Sequence, residues 1–166
     1  LSGDNDMSCA TCHIPEKAFG DGLPTGKGHA GAALRRNTPT LLNVAFYERF
    51  NWDGRAASLE EQTLGPIESP QEMNQNLGEL EAELRAVPSY VEQFRKVFGG
   101  EITRETIAKA LAAFERTLVT GPSPFDRYLA GDESALSPSA RQGLELFQES
   151  ADCVRCHRGP SLSDGK

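Results

Sequence analysis

Several things are scarce in this chain. No apolar run approaches the ~20 residues needed to cross a bilayer. Aromatic residues make up only 7% of the 166 residues, with a single tryptophan, and the hydrophobic share is 38%. That is lean for a self-sufficient core of this length. Positive charge is also in deficit. The net charge is -7, which argues against nucleic acid as a partner. No signal-peptide pattern is visible, so the chain reads as a mature or trimmed form. Histidines number three and methionines two, so candidates for axial metal ligands can be taken one by one.

There are four cysteines, and all fall in two copies of one pattern. Cys9-Ala10-Thr11-Cys12-His13 and Cys153-Val154-Arg155-Cys156-His157 both read C-x-x-C-H, the attachment signature of a c-type haem. Two thiols three positions apart can each bond to a haem vinyl group, and the following histidine can give an imidazole nitrogen to the iron. No cysteine is left for a structural disulfide. A zinc site usually keeps its C-x-x-C halves ~15–20 residues apart, whereas these stand at opposite ends of the chain. A thiol redox pair does not explain a histidine after each copy. Two covalently bound haems c are therefore expected. Attachment of this kind takes place outside the cytoplasm, so a periplasmic location is expected too.

In order, residues 1–8 are polar and too few for a helix packed before the first motif. Residues 14–37 are broken by Gly20, Gly22, Gly26, Gly28, Gly31 and Pro24 and read as a long loop. This loop holds His29, the one histidine outside the motifs. Ser58 with Glu61 forms a capping box for a helix over about 59–64, ended by Gly65-Pro66. Leu77, Leu80 and Leu84 mark one helix. Tyr90, Val91, Phe94, Val97 and Phe98 mark a second, started by Pro88 and stopped by Gly99-Gly100. The clearest helix spans 103–119, with Ile107, Leu111, Phe114 and Leu118 on one stripe. Residues 121–136 read as a linker with one short turn. Ser137-Pro138 opens a helix to about Glu149, with Ala140, Leu144 and Phe147 on one face, leading into the second motif. The fold class is mainly α. Two cytochrome c-like haem domains are expected: 1–120, then the linker 121–136, then an incomplete 137–166.

By themselves, the remaining candidates are ambiguous. His29 reads either as a solvated loop histidine or as a ligand on a mobile loop. Met7 and Met73 are the other in-chain candidates for a distal ligand. Trp52 reads either as core or as a stepping stone for electrons. Glu72 and Gln62 read as surface residues.

A family resemblance reduces these alternatives. Cys9–His13, Gly28-His29, the tract Asn37-Thr38-Pro39-Thr40-Leu41-Leu42-Asn43, Trp52 through Gln62, Gly65-Pro66-Ile67-Glu68 and Glu72-Met73-Asn74 together resemble the bacterial dihaem cytochrome c peroxidases. That family shares a superfamily with the MauG-type dihaem oxidases. The resemblance implies that the haem on Cys9 and Cys12, with proximal His13, is the low-potential peroxidatic centre. His29 would ligate its iron at rest and leave on activation. Glu72 would be the distal acid/base, Gln62 the distal glutamine, and Trp52 the tryptophan between the haems. Asn37 would belong to a calcium site. Cys153, Cys156 and His157 would hold the high-potential electron-transfer haem, with its distal ligand beyond Lys166. The implied partners are hydrogen peroxide and a small donor protein, a cytochrome c or a cupredoxin. A homodimer is compatible with the resemblance. The alternatives are a MauG-like oxidase of a protein substrate and a non-enzymatic dihaem electron carrier.

Overall fold

The computed structural model describes residues 1–159, 162 and 163. Among these it is helical, with three isolated bridges (Ile14 with Gly20, Lys27 with Ala33, Phe50 with Ala56) in place of strands. No helix among them is long and apolar enough to cross a membrane. The chain divides into two compact units, Leu1–Leu118 and Val119–Lys166.

Unit 1 is built on helices α1 (Cys9–Cys12), α2 (Leu59–Glu68), α3 (Leu77–Arg85), α4 (Pro88–Phe98) and α5 (Arg104–Glu115). Short polar residues start these helices. Asn76 Oδ1 accepts from the amides of Gly78 and Glu79 at 2.8 and 3.1 Å and caps α3. Thr103 and Thr106 cap α5 reciprocally, each side-chain oxygen accepting the other's amide. α2, α3 and α5 meet over a core of Ile67, Met73, Leu77, Leu80, Ile102 and Ile107. A smaller cluster of Val44, Leu59 and Ala112 sits beside it.

Four details depart from the sequence reading. First, α2 does not end at Gly65-Pro66 but runs through to Glu68. Gly65 has no Cβ to clash with the proline ring. The last turn is also held by tertiary bonds, with Met73 N–H donating to Pro66 O at 3.1 Å and Gln75 N–H to Ile67 O at 2.9 Å. Second, Glu61 does not close the capping box on Ser58. The Ser58 hydroxyl accepts the Glu61 amide, but the Glu61 carboxylate takes the N–H of Ala57 at 2.8 Å. Third, Met73 is core, packed with Ile67 and Leu77, and is no distal-ligand candidate. Fourth, α5 is shorter than expected and buries Ile107, Ala108 and Ala112, while Phe114 stands out at 57% exposure.

Residues 1–8, read as too few for a helix, form a strap. Ser2 is buried, and its hydroxyl accepts the amides of Asp6 and Met7. Gly3 N–H donates to Met73 O at 3.0 Å, so close that a Cβ there would stand 2.2 Å from Asn74 O.

Unit 2 holds α6 (Pro124–Leu129), a 3-10 turn at Glu133–Ala135, α7 (Pro138–Gln148) and a 3-10 turn at Cys153–Arg155. The tract read as a linker over 121–136 therefore carries a capped helix. Ser123 and Asp126 exchange side chain-to-amide bonds of 2.7 and 3.1 Å at its start.

Candidate functional site

The first motif is a single helical turn. Ser8 N–H donates to Thr11 Oγ1 at 3.0 Å, and His13 N–H closes the turn on Cys9 O at 2.8 Å. This sets the two thiols and the imidazole on one short element. Ala18 and Phe19 then take left-handed backbone conformations, at φ 55° and 58°. Non-glycine residues rarely do this, and such local strain is kept where it positions something. Here the turn delivers the Phe19 carbonyl to the imidazole, which donates from Nδ1 at 2.9 Å. A bond from Nδ1 to a carbonyl fixes the tautomer and leaves Nε2 free as a metal ligand. His157 repeats the arrangement in unit 2, where Nδ1 donates to Leu162 O at 3.0 Å and its N–H bonds Cys153 O at 2.9 Å.

The Cys9 and Cys12 thiols are both pushed above the ordinary cysteine value, chiefly by burial. Asp21, Glu72 and Cys9 add to the effect on Cys12, and Glu115 adds to that on Cys9. Zinc sites and redox pairs need stabilised thiolates, and this acidic setting works against them. Among the described residues no group of three or more His, Cys, Asp or Glu side chains converges on a metal position. Two uncharged thiols and an imidazole presenting Nε2 fit the attachment of haem c instead.

His29 is not a solvated loop histidine, since its side chain is only 21% exposed. It sits on a 3-10 turn, His29–Gly31, with Ala30 left-handed at φ 51°. The turn is clamped to the segment that carries Glu72. His29 N–H is shared between Gln71 O at 3.1 Å and Glu72 O at 2.9 Å. Gly28 makes this approach feasible, because a Cβ there would lie 1.9 Å from Gln71 O. The imidazole Nε2 faces Asn74 Nδ2 at 3.5 Å and Asp4 Oδ2 at 3.6 Å, while Nδ1 is enclosed without a partner. Cys12 Sγ lies 3.4 Å from Lys27 O, so the same loop passes the attachment cysteine. The fold thus brings Cys12, His29 and Glu72 together. Gln62 is half-buried on α2, the helix that leads into the Glu72 turn.

Trp52 is not core. It is 62% exposed, and its indole N–H donates to Asn37 O at 2.8 Å. Asn37 in turn donates from Nδ2 to Leu23 O at 2.5 Å. The Asn37 carbonyl and amide group are therefore both engaged within unit 1. Calcium takes six to eight oxygens, Asn and backbone carbonyls and waters among them, and these two bonds use the Asn37 backbone oxygen and Nδ2 rather than its side-chain oxygen. No step is assigned to calcium.

Two acidic residues near the first motif escaped the sequence reading. Asp21 is buried and accepts from Leu23 N–H at 2.9 Å and from Thr38 Oγ1 at 2.8 Å. Those bonds hold its carboxyl below the usual range despite its burial. Glu115 closes α5, and burial pushes its carboxyl up to about 7. A signal for Glu115 was present, since Ile107, Ala108, Leu111, Ala112 and Glu115 follow one helical stripe.

In unit 2 the motif faces an apolar groove of about 260 Å³. Phe125, Leu136, Ala140, Gly143, Leu144, Phe147 and Leu162 line it. The Phe147 and His157 rings lie 6.2 Å apart. An apolar cradle beside a histidine presenting Nε2 fits a haem face. The face read on α7 from Ala140, Leu144 and Phe147 lines this groove.

A helical scaffold with two C-x-x-C-H turns, one among acids and one beside an apolar groove, fits a c-type haem protein with two unlike sites. Residues 1–134 match the family model of the di-haem cytochrome c peroxidases, and the chain belongs to that family. It is 46% identical over 159 residues to the methylamine utilization protein MauG of Methylorubrum extorquens, covering 95% of this chain and 45% of that protein. It is 41% identical over 165 residues to the cytochrome c551 peroxidase of Pseudomonas aeruginosa, covering 98% and 47%. Among solved structures, a MauG-like protein associated with microbial copper homeostasis superposes with a TM-score of 0.90 at 32% identity, covering 99% of this chain and 49% of that one. The chain spans about half the length of the curated relatives it matches. Two haems c follow from the family.

Proposed function

We propose that the protein reduces hydrogen peroxide to water at the haem held by Cys9, Cys12 and His13. Electrons would come from a small redox protein, a cytochrome c or a cupredoxin, through the haem held by Cys153, Cys156 and His157. The observation that carries this reading is the clamp of the His29 turn onto the Glu72 segment, beside Cys12. It ties the backbone of the histidine turn to the backbone of the Glu72 segment, and the Glu72 charge is felt at Cys12.

The bound haem iron would supply the electrons that split the oxygen–oxygen bond. The chain supplies access and protons. His13, fixed by Phe19 O, would hold the iron through Nε2. His29, whose Nε2 is flanked by Asn74 and Asp4, would be a second ligand at rest, released by movement of its glycine-flanked turn. Glu72 would take a proton from one peroxide oxygen and return it to the other, so that water departs rather than hydroxide. Gln62 orients the peroxide by hydrogen bonding. Trp52, exposed and anchored on Asn37 O, offers an aromatic surface for electron passage. A periplasmic setting suits both the attachment chemistry and the proposed donors.

The 46% identity to a MauG protein favours a second reading, in which the oxidising equivalents act on a protein side chain. A steady-state assay with peroxide and a reduced small cytochrome separates the two. Fast donor oxidation with unmodified protein substrates supports the peroxidase. Negligible donor oxidation with peroxide-dependent side-chain oxidation supports the MauG-like reading. A high-spin signal appearing on half-reduction is expected of either enzyme and excludes a passive electron carrier.

A further inference from the structure

Glu115 is the last residue of α5 and extends the stripe of Ile107, Ala108, Leu111 and Ala112 that the helix turns inward. Its Oε2 is enclosed and meets no hydrogen-bond donor. The residue as a whole is half-buried, and an enclosed carboxylate oxygen without a partner is costly. Of the charged groups around it, Arg116 relieves that cost only in part. From its own element, Arg116 turns away and grips Glu60 on α2 through two bonds of 2.8 and 2.9 Å. From α2, Glu60 adds like charge, and from α1 the field of Glu115 reaches Cys9. The carbonyl end of a 12-residue helix further disfavours an anion there. Burial is the largest cause of its upward shift, with Glu60 adding and Arg116 opposing. The group is poised to change charge, and the proton chemistry assigned to Glu72 makes no use of it.

We propose that Glu115 is a redox-linked proton site: its carboxylate takes up one proton from solvent when the haem on Cys9 and Cys12 gains an electron, and releases it when the electron leaves. This rests on the reading that Cys9 and Cys12 carry haem c. The step balances simply. One electron from the donor protein turns ferric iron ferrous, one proton turns the Glu115 carboxylate into the acid, and no other bond forms or breaks. Reduction removes one positive charge from the pocket beside Cys9, which raises the proton affinity of a nearby carboxylate. By reciprocity, protonation must then favour reduction.

The test is a potentiometric titration of the full-length holoprotein with mediators, followed optically from about pH 5 to about pH 9. The unit 1 couple should fall, near neutrality, by up to about 59 mV for each tenfold drop in proton concentration, the one-electron value. Glu115→Gln should flatten that dependence, and Glu115→Asp should retain it. The couple of the haem on Cys153 and Cys156 should move in neither variant and serves as internal reference. Reduction-induced infrared difference spectra of the native protein should show a carboxylic C=O band gained on reduction, absent from Glu115→Gln. A slope that survives in Glu115→Gln, or a native difference spectrum without the band, overturns the proposal. The second readout does not depend on the variant folding. If the peptide containing Cys9 and Cys12 carries no haem mass, the underlying reading fails instead.

Discussion

Cys9–His13 and Cys153–His157 aim their histidines alike, each Nδ1 donating to a downstream carbonyl at 2.9 and 3.0 Å. Their surroundings differ. The first turn has Asp21, Glu72 and Glu115 acting on its thiols and His29 on the adjoining loop. The second faces an apolar groove whose lining includes Phe125, Leu144 and Phe147. Unit 1 also has a core of its own around Ile67 and Leu80, whereas among the described residues of unit 2 no side chain is buried. One anchor has thus been set into two environments. Groups that bind, donate and accept protons suit bond breaking, while an apolar wall suits a centre that only passes electrons.

The contrast is broken most severely at Glu72. Replacing it by glutamine should lower peroxide turnover by about 10²–10⁴-fold, the usual range for losing a general acid/base. Covalent haem content should not change. Turnover within a factor of two of the native protein would remove Glu72 from its role, and the polar character of the first site would then need another explanation.

The two cores give the next largest effect. Ile67→Ala opens a cavity where α2 meets α3 and α5, and should cost about 2–5 kcal/mol in denaturant unfolding, with or without haem. Leu144→Ala in unit 2 should cost measurable stability only when haem is bound, because Leu144 lines the groove rather than a preformed core. Equal losses for Leu144→Ala in apo and holo protein would show that unit 2 packs without its cofactor.

Gly28→Ala tests how the His29 turn is seated. The added methyl would meet Gln71 O at 1.9 Å, so the turn must lift away from the Glu72 segment. A loss of about 1–3 kcal/mol is expected, in the range of overpacking. The oxidised holoprotein should also gain high-spin signal as His29 loses its seat. Unchanged spin state would separate His29 from the iron.

How much of this was legible in the sequence differs between residues, for physical reasons. The two C-x-x-C-H turns were readable because two thiols and an imidazole at fixed spacing are a local pattern. Helices α3, α4 and α7 were readable because leucines, prolines and caps mark them. Gly65-Pro66 misled, since a local breaker was overridden by the tertiary bonds of Pro66 and Ile67 to residues 73 and 75. The burial of Met73 and the exposure of Trp52 were not legible, because burial depends on partners far along the chain. Asp21 and Glu115 went unread because acids are normally assigned to the surface. For Glu115 the helical stripe overrode that rule, and for Asp21 a loop fold did so, with Thr38 and Leu23 as donors that no spacing announces.

The smallest expected effect lies at the Arg116–Glu60 pair, which ties α5 to α2 across the helices that carry Glu115 and Gln62. Both side chains are substantially exposed, at 45% and 34%, so the pair should stabilise by no more than about 0.2–1 kcal/mol. Arg116 holds the Glu60 carboxyl below its ordinary value, chiefly through the hydrogen bonds. The pair's stabilisation is therefore fully present above the ordinary carboxylate pKa and is lost as pH falls through the lowered one. Glu115 acts in the opposite sense. Its folded value of about 7 exceeds the ordinary 4.5, so the folded state holds the extra proton and stability declines as pH rises between them. In Arg116→Ala, the Glu60 contribution should vanish, and Glu115, freed of its one opposing influence, should begin to cost stability at the same acid edge but go on doing so to higher pH. Thermal unfolding of the native protein and Arg116→Ala across that range checks both signs. A variant whose deficit shrinks as pH rises through neutrality would contradict the assignment of Arg116 as the group that restrains Glu115.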